Sequence, residues 1–150
     1  MPDSRLVTIH KRLQTVLGAD FSAGYSGIDM TGRVVRGSVV EPPYTPFGCV
    51  YFVDSLENYG PTLGRFRSDA TFEVYTFIGG GDASERADNA LNIASDGVEA
   101  ITANRQLSLG SLVDDVLCSY TALDGDKFGL SGIGIGYIRV SIKFQSDKGV

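Results

Sequence analysis

The stretch FRSDATFEVYTFIGGGDASERADNALNIASDGVEAI (residues 66–101) changes its period half way along, and that change decides the fold. In the first half, Phe66, Ala70, Phe72, Val74 and Ile78 alternate with Arg67, Asp69, Thr71 and Glu73, and Arg65 precedes them. A period of two predicts a long half-buried strand over 66–78. In the second half, Ala87, Leu91, Ala94, Val98 and Ile101 fall at steps of four and three, which draws one stripe down a helix from about Ala83 to Leu107. Ala90, Gly97 and Ala100 flank that stripe, so the helix can approach a sheet closely. Gly97 in a helix interior costs about 1 kcal/mol relative to Ala, which close packing must offset.

Between strand and helix lies Ile78-Gly-Gly-Gly-Asp-Ala-Ser-Glu-Arg86. A glycine-rich loop in that position raises the question of a phosphate cradle. The loop lacks the Gly-Lys-Ser/Thr ending of a P-loop, and no Gly-x-Gly-x-x-Gly runs on into the helix. Asp82 stands at the N-cap position with Glu85 three residues on, the pattern of a capping box. Their carboxylates occupy the positive end of the helix dipole, where a phosphate would meet two negative charges and no lysine.

Downstream, Leu112–Leu123 and Gly132–Phe144 read as a strand pair joined through a turn at Asp124-Gly125-Asp126. The last strand has two textures. Ile133, Ile135 and Tyr137 are bulky at odd positions, whereas Ile138, Val140, Ile142 and Phe144 are bulky at even ones. Side chains alternate faces, so one straight strand cannot bury both sets against the same core. Either a bulge near 136–138 flips the register, or the two halves bury against different surfaces, the first of them a neighbouring subunit.

Upstream, Phe47 to Val53 is apolar on both faces, as in a central strand. Residues 19–46 are rich in glycine and proline and read as a protruding arm or long loop, in which Arg33–Val40 is a short hairpin or extended segment around Gly37. Leu6, Ile9, Leu13, Val16 and Leu17 form a helical stripe, with Ser4 as N-cap and Gly18 as stop. His10, Arg12 and Gln14 then fall on or near the polar side, and the lone histidine reads as a solvated helix residue. The order predicts a single α+β domain over 1–150: a mostly antiparallel sheet of four strands or slightly more, with a long helix and an N-terminal helix on one face.

The composition narrows function. At 150 residues, 43% hydrophobic and 21% charged, the chain can bury an ordinary core, and its apolar runs are too short to span a membrane. A net charge of −5 without a Lys/Arg cluster argues against gripping DNA, and the polar N-terminus lacks a secretory pattern, so folding in a cytoplasm is expected. Cys49 and Cys118 read as reduced, buried thiols. One histidine and no Cys-x-x-Cys leave a zinc site without ligands, and a triad without a base. Asp114-Asp115 point to opposite faces of a strand, and Asp124/Asp126 lack the further ligands of a calcium loop. No catalytic, cofactor-binding or metal-binding residue is expected, and Arg65 and Arg67 with Asp69 and Glu73 read as an ion-paired exposed face that tunes partner recognition.

Taken with the element order, several segments carry a family resemblance. These are the helix ending Leu17-Gly18, the Pro-Pro-x-x-Pro-Phe-Gly-Cys-Val-Tyr-Phe run at 42–52, and the strand Phe72–Phe77. The helix Arg86–Ile101 and the closing Tyr-Ile-Arg-Val-Ser-Ile-Lys-Phe at 137–144 complete the set. In this arrangement the chain resembles the tail-terminator (tail-completion) proteins of tailed bacteriophages, from its first helix to its end. The resemblance implies a non-enzymatic virion protein, assembled in the host cytoplasm. It would form a ring, typically a hexamer, on the head-proximal end of the tail tube, stop tube polymerisation and face the head-completion proteins of the neck. Where the tail contracts it would also meet the last sheath ring. DNA would pass the acidic lumen without sequence-specific binding. The expected contact residues are Arg33, Arg36 and Tyr44 in the arm, Arg65 and Arg67, and Ile133, Ile135 and Tyr137 in the last strand. A stopper or head–tail adaptor of the neck is the alternative reading, and a cytoplasmic small-ligand binder or enzyme a more distant one.

Overall fold

The strand with the period of two lies at the centre of a five-stranded sheet. The computed structural model describes residues 3–19, 28–38, 41–59, 66–103, 107, 109 and 112–145; for 19, 57–59, 66 and 67 only the backbone is described. In chain order the elements are α1 (Arg5–Ala19), β1 (Val34–Arg36), β2 (Phe47–Tyr59), β3 (Phe66–Gly79), α2 (Ala83–Ala103), β4 (Val113–Asp124) and β5 (Ile133–Gln145). The strands are ordered β1-β2-β3-β5-β4. Only β1 and β2 run parallel; the other neighbours are antiparallel. β3 and β4 therefore share a direction with β5 between them, and α2 carries the chain across that gap. This is a split βαβ unit with one extra hairpin strand and a short parallel edge.

Both helices lie on one face. α1 packs on β1 and β2, α2 on β3, β5 and β4, and the helices touch each other. The stripe expected on α1 is buried: Ile9, Leu13, Val16 and Leu17 join the main core, with Leu6 partly covered. Ser4 caps this helix, its Oγ accepting from the Val7 amide at 3.3 Å. Across the interface, Phe72, Val74, Val140 and Ile142 supply the sheet side of the same core. Phe72 is fully buried, with the rings of Phe52 and His10 at 5.6 and 5.2 Å.

On α2 the buried line is shifted from the stripe read in the sequence. Ala90, Ile93, Ala94, Gly97, Ala100 and Ile101 are buried, whereas Leu91 is 44% exposed. The small residues taken as flanks form the middle of the contact, because this helix lies almost directly on the backbone of β5. A Cβ built on Gly136 would stand 2.8 Å from the Ala90 carbonyl oxygen and 2.5 Å from Thr76 Oγ1; one on Gly134 would stand 2.7 Å from the Arg86 carbonyl oxygen. No side chain fits there. Two glycines on β5 and a row of small residues on α2 are one packing solution.

The same glycines resolve the two textures of β5. Its register against β3 runs from Ile133↔Gly79 to Gln145↔Arg67 without a shift, so no bulge intervenes. The even positions face the helices throughout, as Gly134 and Gly136 under α2 and then as Ile138 to Phe144. Ile133, Ile135 and Tyr137 face the opposite side, where Ile135 sits in a second apolar cluster with Phe47, Cys49 and Phe77 of its own chain.

Four local expectations change. The 33–40 segment is not a hairpin: Val34–Arg36 pairs in parallel with Gly48–Val50. The 19–46 arm is not wholly protruding either. Met30 and Val34 are buried in the main core; residues 20–27 and 39–40 lie outside the described residues. α2 ends at Ala103 rather than Leu107, which adopts positive φ and is buried. His10, expected in solvent, is half-buried, as are Arg12 and Gln14. His10 Nε2 lies 2.9 Å from the Val50 carbonyl, which can only accept, so that nitrogen carries the proton. Gln14 Nε2 donates to the Val34 carbonyl and Arg12 Nε to that of Leu107, tying α1 to β1 and to the segment after α2. Among the described residues no helix is long and apolar enough to cross a membrane.

Candidate interface on the uncovered sheet face

The glycine loop is a helix start. Gly80 and Gly81 adopt positive φ, and Asp82 Oδ1 accepts from the Glu85 amide at 2.9 Å, so the cap lies within the chain itself. Arg86 donates to the Gly81 carbonyl at 3.1 Å and lies 3.6 Å from Asp126, which locks the loop to the β4–β5 turn. That turn, a 3-10 segment at Gly125–Phe128, uses the carboxylates flagged in the sequence. Asp124 accepts from the Asp126 amide and Asp126 from the Gly132 amide. Among the described residues no three His, Cys, Asp or Glu side chains gather as a metal site. Cys49 and Cys118 are both reduced; burial pushes Cys118 up to about 11, far from a reactive thiolate.

What remains is the face of the sheet away from the helices. It is divided along the strands. At one end the register sets Glu73 opposite Arg139 and Asp69 opposite Lys143, so opposite charges meet across strands. At the other end the same face is apolar. Phe47, Cys49, Phe77 and Ile135 are buried there, and Val35, Tyr75, Leu123, Leu130 and Ile133 pack around them half covered. Among the described residues no helix covers either end. The cluster shields itself by its own size, and the β4–β5 turn folds over one side.

Between the two ends lies a hollow of about 490 Å³ lined by Tyr51, Glu73, Tyr75, Phe77, Phe128 and Ile135 among others. Its walls are aromatic and its one charged group is Glu73. The Tyr75 hydroxyl donates to Glu73 at 3.0 Å, and the Tyr75 and Tyr137 rings lie 5.3 Å apart. Burial, reinforced by that carboxylate, pushes Tyr75 up to about 12; burial also raises Tyr137, against the opposing pull of Arg139. Both phenols stay neutral near pH 7. Tyr51 and Phe128 at the rim are 41% and 60% exposed, and Leu56 and Leu117 on the same face are exposed as well. Exposed aromatic groups around a concave apolar floor mark an interaction surface.

Of the residues expected from sequence to make contacts, the structure brings several together on this face. Ile133, Ile135 and Tyr137 belong to it. Ile135 is a floor residue rather than a contact, because it is buried within the chain. Tyr44 joins at the margin, edge-on to Phe47 at 5.3 Å, with the Arg33 guanidinium 5.3 Å above its ring and bonded to the Pro46 carbonyl at 3.2 Å. Arg36 stands elsewhere, exposed at the end of the β1 edge and on the helix side, beside His10. Arg67 lies at the far, polar end of β3, with only its backbone described, and Arg65 lies outside the described residues. Sequence reading missed Tyr51, Tyr75 and Phe128, and had Glu73 only as part of an ion-paired exposed face. The alternation of 72–77 held the signal for Glu73 and Tyr75, once β3 was known to lack cover on its second face.

No protein-family model matches this chain, and no curated protein matches it either.

Proposed function

We propose that this chain is a structural, non-enzymatic virion protein. It forms a ring on the head-proximal end of a phage tail tube, ends tube growth and presents a surface to the neck. The observation that carries the reading is the uncovered face of the sheet. A split strand without a bulge leaves an apolar, aromatic-rimmed surface on the side that the chain's own helices do not reach. A heterologous contact between such a surface and a different patch of the next copy generates a ring where its rotation closes. The resemblance in element order to tail terminators and the net charge of −5 support the same reading, since an acidic wall lets DNA pass without adhesion. The exposed-face residues Tyr51, Phe128, Ile133 and Tyr137 are the proposed contacts, with the Arg33–Tyr44 pair at their margin.

Electron microscopy of the protein mixed with purified tail tubes tests it. A cap at one end of each tube, and tubes that no longer lengthen, are expected. Strictly monomeric behaviour with unaltered tubes would sink the reading, and a cap on the head's portal instead would favour a stopper or adaptor.

A further inference from the structure

The sheet has two strand edges open to solvent, and they match. β1 covers only the first part of β2, with Arg36 standing beside Val50. β1 itself is three residues long, and Gln14 holds its Val34 carbonyl. Beyond Val50 the outer edge of β2 runs over 51–59, and there Asp54, Ser55 and Leu56 are exposed in succession. On the other side of the sheet β4 is the outermost strand. It carries an uncharged run from Val116 to Leu123, in which Ser119, Tyr120 and Thr121 are exposed in succession. Successive residues point to opposite faces, so unbroken exposure marks an open edge. Tyr51, Leu56, Leu117 and Tyr120, all exposed, lie on these two edges. Neither run contains the lysine or proline that commonly guards an edge.

Resting on the ring reading above, we infer that β4 of one copy adds to β2 of the next, so that one sheet runs on from copy to copy. Main-chain hydrogen bonds supply such a contact. Through β3 and β5 the strands alternate, so β2 and β4 of one copy run opposite ways. A copy displaced along the sheet without being turned over therefore offers β4 antiparallel to the open part of β2. That contact is head-to-tail, the kind a ring needs.

Length and face set the register. The run 51–59 has nine residues, but its ladder to β3 shifts between Phe52 and Asp54 and passes over Val53. Eight positions are left, in step with the eight of 116–123. Tyr51 then stands opposite Leu123, Ser55 opposite Tyr120 and Tyr59 opposite Val116. Tyr51 and Leu56 lie on the uncovered face of their copy, as Leu123 and Ser119 do on theirs, so the faces agree across the joint. In this register Asp124 falls in line with Val50, where β1 ends at Arg36. Arg36 and Asp124 are both exposed and both on the helix side, so opposite charges meet at the seam. β4 has no such fit to itself. Antiparallel overlap of 116–123 with the same run sets Asp115 opposite Asp124, and like charges opposite one another destabilise a sheet.

Disulfide trapping tests the joint, with Ser55→Cys and Tyr120→Cys introduced beside Cys118→Ser and thermal melting reading the fold. Within one copy the two sites are three strand spacings apart, roughly 14 Å, too far for a disulfide. Under oxidised glutathione the S55C/Y120C pair should link copies into a covalent ladder that ends at the closed ring, and neither site alone should give one. Covalent dimers from Tyr120→Cys alone would mean that β4 meets β4 and overturn the inference. A ring that forms but is not bridged by the pair overturns it too. If the cysteine variants melt early, hydrogen exchange of the wild type replaces them. Alternate amides in both 51–59 and 116–123 should exchange about tenfold or more slowly in the ring than in the dilute monomer, and unchanged exchange in either run overturns the inference. A wild-type chain that stays monomeric with and without tubes fails at the ring itself, a different result from a ring whose strand edges stay open.

Discussion

The two ends of β5 belong to one unbroken strand but bury their bulk on opposite sides. From Ile138 to Phe144 the large side chains face the helices and join the main core. From Ile133 to Tyr137 they face away, while Gly134 and Gly136 let α2 rest on the backbone. Where a helix lies very close, the sheet has no room for side chains beneath it, and the apolar residues appear on the other face. That is how one strand both completes the core and helps build a surface on the side away from both helices. The main core lies on the helix side, and the partner contact proposed above lies on the other.

The largest effect expected of this division is at Phe72. Phe72→Ala should cost about 3–5 kcal/mol of unfolding free energy, because it empties the middle of the core. Tyr51→Ala on the uncovered face should stay within about 1 kcal/mol. Equal losses in urea titrations of the two variants would erase the distinction between the faces. Gly136→Ala comes next, at about 1–3 kcal/mol, since the new methyl meets the Ala90 carbonyl and Thr76. A neutral result would mean that α2 does not lie where the strand's two textures require it.

How far the sequence carried this architecture follows from the range of each signal. Both helices, β3 and the pairing of β4 with β5 were legible because period and turn chemistry are local. β1 was not. Gly37 left a hairpin and an extended segment both open, whereas Val34–Arg36 owes its strand to a parallel partner beyond a loop and to burial of Val34 under α1. The far half of β2, with Asp54 and Leu56 exposed, carries no burial pattern to read. His10 looked solvated by its neighbours in sequence, but the Val50 carbonyl and the Phe72 ring that hold it come from the sheet. Of the candidate surface, the odd-numbered residues of β5 were visible in advance. The hollow was not, because Tyr51, Glu73 and Phe128 come from three separate segments.

Smaller effects sharpen the helix side further. Asp82→Ala should cost about 1 kcal/mol by removing the acceptor for the Glu85 amide, and adding ATP should give the wild type no thermal shift. A saturable shift would reopen the loop as a phosphate site. His10 gives the smallest effect, and its sign is fixed. Burial, together with nearby Arg36, lowers its pKa below 6.5 despite the bond to Val50. The folded chain then binds fewer protons than the unfolded one. This contribution is fully present above about pH 6.5 and is lost as pH falls through the lowered folded value. His10→Gln should flatten that part of a stability–pH curve, and an unchanged slope would place the imidazole in solvent.

The central claim, that the uncovered face holds a neighbour rather than the fold, is tested most directly by Tyr51→Asp. The experiment follows sedimentation and thermal melting of the same sample. The account predicts loss of the ring-sized species, with the dilute monomer melting within about 2 °C of the wild-type monomer. A variant that keeps the ring, or one that loses cooperative unfolding, would contradict it.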